Sequence, residues 1–375
     1  MFDLQSYQSP EAKVVWQTIT QIVAGLAPSS GADLPGAVGD TIAELATQLV
    51  PDGRIVRNFK NTGNMALQLG PPTDQPDLVI TAHMDRPTFC VRSIDEQGRG
   101  SLFPICAIRL PEGQYRTGAR SFRFEAGMLV VGATGHYVAV PNASDDYAFY
   151  FEPTEGHLTL MDTIVMETPP RLDETTKEIV STGFDNTLGV TVALFTAQAL
   201  APLIGARACW FVFTDHEEGP PNGYYFSQGS DRLTRAIPAP RIGAINVDAH
   251  NAGEGLPIQL GKGASFAMVS GDGKGAVVPP NYVAMANDLK DYLNTTSLAQ
   301  VQFNPGYLSR SDEMPMHRWS RLLAMIGPPL AHAHTGNETA NLTDVVDSIT
   351  LLTHISSMAL GTSPEATAAY HLSFD

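Results

Sequence analysis

Five places along the 375-residue chain set a side chain able to bind a metal or move a proton where an apolar run ends or a helix begins. His83 and Asp85 follow LVITA, and Asp185 precedes TLGVTVAL. Glu217 and Glu218 follow ACWFVFT, Asp248 follows IGAINV, and His334 follows LLAMIGPPLAHA. Imidazoles with carboxylates form a hard-to-borderline donor set that suits zinc, cobalt or manganese. Each feature alone has an ordinary explanation. A strand-end histidine can be satisfied in the core, an aspartate can cap a helix, and a glutamate pair can sit on a solvated loop. Their conjunction is harder to assign to solvation, because only 17% of the chain is charged, against ~25% in ordinary globular proteins.

The elements that must carry these residues follow from hydrophobic period. Residues 11–26 set Val14, Val15, Ile19, Ile22 and Val23 at helical spacing, and 38–49 read as a second amphipathic helix. QPDLVITAHMD contains a short continuous apolar run of the kind buried on both faces of a sheet. Between about 90 and 165 only short alternating runs appear, separated by Gly-, Pro- and Asn-rich turns, which predicts an all-β barrel or sandwich. After it come a helix over 187–201, strands over 208–214, 241–247, 265–269 and 322–327, and a closing helix over 342–360 with Asn341 or Thr343 as cap. This alternation predicts an α/β fold with a mostly parallel central sheet flanked by helices. The α/β unit spans 1–89 and 166–375, and a small β-barrel domain is inserted at 90–165. In such a sheet the ligand crevice lies outside the carboxyl ends of the strands. Four of the five places would meet there, and Asp185 would face them from a helix N-terminus.

Composition narrows the function classes. With 23 Lys and Arg against 39 Asp and Glu, the net charge is −16. Such a surface repels phosphate backbones and anionic lipid, so neither nucleic acid nor membrane is expected as a partner. Three cysteines (Cys90, Cys106, Cys209) without C-x-x-C spacing exclude a disulfide framework and a thiolate zinc site. The first residues lack a basic segment followed by an apolar one, and no apolar run approaches the ~18 residues of a membrane span. A soluble, cytoplasmic protein is expected, and the sequons at Asn142 and Asn337 are then chance. Gly271, Gly273 and Gly275 are followed by VVPPN, which offers no helix N-terminus to a phosphate, and no G-x-S-x-G elbow occurs.

Taken in order, AHMD, TGFDNTLGV, HEEG, INVDAH with LGKGA downstream, and IGPPLAHAHTGNE resemble the family of co-catalytic dinuclear metallo-aminopeptidases, which includes glutamyl and tetrahedral aminopeptidases. The likeness covers most of residues 60–360. Related carboxypeptidases and deacylases use a similar ligand order but insert their extra domain later. The resemblance implies a zinc-exopeptidase-like fold, two divalent metal ions per chain (zinc, with cobalt or manganese as alternatives), short peptide substrates and a homo-oligomer. It implies that Asp185 bridges the metals, with His83 and Asp248 completing one site and Glu218 and His334 the other. Asp85 would accept from His83 and fix its tautomer, and Glu217 would be the general base.

The chain also departs from the family pattern. Asp-Asp-Arg-x-Gly becomes Asp185-Asn186-Thr187-Leu188-Gly189, and the Arg-Tyr pair before the last histidine becomes Ala331-His332. Gly-Gly-Thr-Asp becomes Arg310-Ser311-Asp312, and GPPNGYY follows the glutamate pair. His332, two residues before His334 and on the same face of a strand, leaves the ligand at that position open by spacing alone. The ungapped fit of the closing motif prefers His334. Two rival readings use the same residues: an N-acyl amino acid deacylase, and a non-catalytic assembly protein that keeps the metals for structure. A glycosidase reading of the Glu pair is weak, because sequence neighbours do not face each other across a sugar.

Overall fold

The computed structural model describes residues 7–106, 110, 113–141, 147–219, 226–308, 310–361 and 364–372. Runs that are apolar without alternation make the centre of its main sheet. Leu78–His83, Cys209–Thr214, Gly243–Val247 and Leu322–Gly327 are buried at every position and are labelled in chain order below as β3, β12, β13 and β17. The outer strands of this sheet are β1 (Arg54–Val56), β2 (Met65–Leu69), β15 (Ala264–Ala267) and β16 (Val301–Asn304), giving the order β1-β2-β12-β3-β13-β17-β15-β16. The four central strands are parallel, while β2 and β15 pair antiparallel at the two flanks. Buried two-sided runs of this kind are what a parallel sheet covered on both faces requires.

Helices α1 (Ala12–Ala24), α2 (Val38–Leu49), α3 (Phe184–Leu200), α4 (Gln228–Ala236), α5 (Pro280–Thr296), α6 (Glu313–Trp319), α7 (Leu342–Ala359) and α8 (Pro364–Ala369) surround it. In α1, Val15, Ile19, Ile22 and Val23 are buried as their spacing predicts, whereas Val14 is exposed. Asn341 caps α7 by accepting from the Thr343 N–H, so of the two expected caps the first is used. Helix α3 is buried nearly all round. Its span Phe184–Leu203 is long and apolar enough to cross a membrane by length and composition, contrary to the sequence reading, but 72% of that window is buried inside the protein. Thr191 in its middle donates its hydroxyl back to the Thr187 carbonyl at 2.9 Å, so the buried hydroxyl is satisfied within the helix. Helix α5 begins at Pro280, in the segment that the sequence reading left without a helix. Proline is tolerated at the first position because its missing N–H would have had no partner there.

The alternating segment forms a closed barrel of β4 (Thr88–Ile94), β5 (Gly100–Pro104), β6 (Tyr115–Glu125), β7 (Met128–Pro141), β8 (Tyr147–Gly156) and β9 (Thr163–Met166), in the order β4-β5-β8-β7-β6-β9. Its own core contains Phe89, Tyr137, Phe151 and Ile164. The β6–β7 hairpin turns on Ala126 and Gly127, both with positive φ (51° and 88°), the two-residue geometry that matches strand twist. First and last strands pair with each other through Phe89 and Ile164, so the chain enters and leaves the barrel at neighbouring points. A second sheet, absent from the sequence reading, joins β10 (Arg171–Leu172), β11 (Glu178–Ser181), β19 (Glu338–Asn341), β18 (Pro329–Ala331) and β14 (His250–Asn251) in that order.

Candidate metal centre

Register brings the candidate side chains to one end of the main sheet. Thr214 pairs with His83 across β12 and β3, and Asn246 pairs with Thr81 across β13 and β3, so the three strands end together. His83 is the last residue of β3, Asp248 follows β13 by one residue, and the Glu217-Glu218 pair follows β12. Gly327 closes β17 beneath this rim. A Cβ there would fall 1.5 Å from the Asp248 carbonyl oxygen, so a larger residue cannot stand at that crossing. Asp185 comes from the opposite side, in the first turn of α3, where Asp185 and Asn186 leave helical geometry and the peptide between them is cis. His334 lies in the turn between β18 and β19, with φ 64°. His332 is in that same turn and is exposed, which corrects the expectation that the two histidines share a strand face. The backbone turns between them, and only His334 joins the cluster.

Asp185 stands between two histidines. Its Oδ1 lies 3.1 Å from His83 Nε2, and its Oδ2 lies 3.4 Å from His334 Nε2. Asp248 Oδ1 is 3.4 Å and Glu217 Oε2 3.8 Å from His83 Nε2, while Glu218 Oε1 is 3.2 Å from His334 Nε2. Two groups, His83–Asp185–Asp248 and Asp185–Glu218–His334, each bring one potential ligand atom per residue within 4.8 Å of the others. Among the described residues none of these carboxylates forms an ion pair with Lys or Arg. Burying four acids with two imidazoles is costly without further positive charge. Nitrogen and carboxylate oxygen donors converging at this spacing fit a divalent cation, whose bonds to them run about 2.0–2.2 Å.

Electrostatics follow from that crowding. Burial works against a charged His83, but Glu217, Asp185, Asp248 and Asp85 outweigh it and raise its pKa well above the ordinary imidazole value. His334 is raised in the same way by Glu218 and Asp185. Burial also opposes ionisation of Asp185, yet its bonds to His334 and His83 hold its pKa far below the usual carboxylate range. Glu217 is pushed well up by burial, with Glu218, Asp248 and Asp312 adding to the effect against the pull of His83.

Side chains around the cluster fix its geometry. The Asp85 backbone carbonyl lies 3.2 Å from His83 Nδ1, leaving Nε2 to face the acids. Its carboxylate, expected to accept from His83, is farther from that nitrogen at 3.6 Å. It accepts instead from the Glu217 and Glu218 N–H groups at 3.0 and 3.1 Å, tying the end of β12 to the end of β3.

Three supports were not singled out from the sequence. Glu338 accepts from the Phe184, Asp185 and His334 N–H groups at 2.6, 3.2 and 2.8 Å, and burial followed by the charge of Asp185 pushes its pKa to about 8. Its position in the HTGNE string is the only signal the sequence offers. Tyr307 donates its hydroxyl to Asp248 Oδ2 at 2.8 Å, across 59 residues of chain. Arg86 donates to the Ile22 and Val23 carbonyls at the end of α1 and to the Thr187 hydroxyl at 3.3 Å. A guanidinium therefore lies beside position 187 although the chain carries threonine there.

No family model matches the chain. Solved structures do. An aminopeptidase from the archaeon Desulfurococcus kamchatkensis superposes with TM-score 0.73 at 17% identity, over 96% of this chain and 98% of its own. The TET1 peptidase of Pyrococcus horikoshii, which can assemble into a tetrahedron or a large octahedral shell, gives 0.66 at 16% identity over 91% and 98%. An M18-family aminopeptidase from Thermotoga maritima gives 0.63 at 13% identity over 93% and 97%. The chain thus has the fold of the TET and M18 aminopeptidases, an α/β body with a mostly parallel sheet carrying a closed antiparallel barrel.

Proposed function

We propose that this protein is a metal-dependent aminopeptidase acting on short peptides. The observation that carries the reading is the position of Asp185, whose two oxygens face His83 and His334 separately. In this reading His83, Asp185 and Asp248 would hold one divalent cation, and Asp185, Glu218 and His334 would hold a second. Zinc suits the nitrogen and oxygen donors, and cobalt or manganese would also fit. Such ions, when bound, polarise a carbonyl and acidify water.

The chain's own groups do the rest. Glu217, buried beside the cluster and held by Asp85 through its backbone N–H, takes the proton of the attacking water and delivers it to the leaving amine. The free ammonium of a peptide N-terminus would lie near the second cation and the carboxylates beside it, which favours removal of terminal residues. Glu217 and Glu218 are neighbours and therefore point apart, as a base and a ligand must. The likeness to the TET1 peptidase, together with exposed Phe103, Phe124 and Met161 on the barrel, supports a homo-oligomer. We also read the segment 90–165 as a separate inserted domain and the protein as cytoplasmic.

Elemental analysis paired with hydrolysis of aminoacyl-anilides before and after chelation tests the reading. About two metals per chain with chelator-sensitive release is expected. Two metals with cleavage of N-acyl amino acids alone would establish a deacylase instead. No metal after reconstitution would remove catalysis from the proposal.

A further inference from the structure

A cavity of about 690 Å³ lies against the turn that carries His334, and nothing in the chemistry above uses it. Ala333 and Thr335 flank His334 in the chain, and Asn251 and Ala252 follow Asp248 by three and four residues. Tyr115 enters from the barrel, where its hydroxyl accepts from the Gly336 N–H and so joins the barrel wall to the turn that carries His334. The remaining lining is Leu110, Leu256, Leu308 and Leu330, together with His332 and Asn337.

Resting on the aminopeptidase reading, we propose that this recess receives the first side chain of the peptide and selects neutral, apolar residues of leucine or methionine size. No Asp, Glu, Lys or Arg stands among its described lining residues. A lysine or glutamate side chain entering it would give up hydration without gaining an opposite charge, a cost that an aliphatic chain does not carry. The volume is within the range of small-ligand sites, and the leucines offer the apolar area that an aliphatic side chain recovers on leaving water. Leu256 and Leu308 are the specificity-determining residues. They leave the turn after β14 and the loop before α6, and neither belongs to the proposed ligand or base set.

The test uses the metal-reconstituted protein with a panel of Leu, Met, Phe, Ala, Lys and Glu anilides. Leu or Met should exceed Lys and Glu in kcat/KM by at least ~10-fold, since pockets that discriminate by apolar contact reach roughly 10–200-fold. Leu256→Glu should then raise the Lys-to-Leu ratio by at least ~10-fold with metal content unchanged. Leu308→Glu, at a position 54% exposed and so tolerant of charge, serves if the first variant fails to fold. A wild type that prefers Lys or Glu, or variants that fold and leave the ratio unmoved, would overturn the inference while the aminopeptidase reading stands. Cleavage of no anilide at all sinks both.

Discussion

Asp85 shows how much of this centre rests on single side chains. Both oxygens of its carboxylate accept from the amides of Glu217 and Glu218, so the direction of the acid pair depends on a group that faces no substrate. Glu217→Gln keeps that backbone and should leave metal content intact while lowering turnover by at least ~10². Elemental analysis with kcat on one preparation checks it, and near-normal turnover would remove Glu217 as the base. Asp85→Ala should weaken metal affinity ~10–100-fold, as loss of groups that orient ligands commonly does, which metal titration reads. The seven residues His83, Asp85, Asp185, Glu217, Glu218, Asp248 and His334 could be singled out in the sequence because each stands at the edge of an apolar run. Tyr307 and Arg86 could not, since what defines them is a contact across 59 and 64 residues of chain to groups without local pattern.

Elements were readable to the extent that their hydrophobic period was local. The central strands, α1, α2, α3 and α7 satisfy that condition. The second sheet does not, because β11 and β19 are two short strands distant in the chain and joined only by tertiary pairing. Helix α7 carries a second consequence at this scale. Asp344, in its first turn, accepts from the Gly261 and Gly263 N–H groups at 2.7 Å each, and burial pushes its pKa from 3.8 to about 7. Between those values the folded state holds a proton that the unfolded chain has lost. The contribution to stability is therefore complete below the lower value and disappears as pH rises through the upper one. Urea unfolding of Asp344→Asn should show a shallower loss of stability than wild type between pH 4.5 and 7.5, and parallel curves would refute the assignment.

Across the whole molecule, Asp185, Glu217, Glu218 and Asp248 concentrate negative charge inside a chain that already carries a net −16. Cations that bind only the folded state would relieve this and stabilise by about 2.7 kcal/mol at a free concentration 100 times Kd. Chelation should lower the melting temperature and added zinc should restore it, a change read by calorimetry. A melting temperature indifferent to both would deny the acids a resident ion. The closed barrel was expected from its alternation, but its strand order was not, because cross-strand partners leave no mark in one sequence. That closure has a consequence for inheritance. Since β4 pairs with β9, a recombination event can exchange everything between them as one cassette with both ends already spliced. The proton-handling groups lie outside the cassette, while Tyr115 lies inside it. A lineage built this way can recast the one wall of the recess that Leu110 and Tyr115 supply while Leu256, Leu308 and the gathered acids and imidazoles stay as they were.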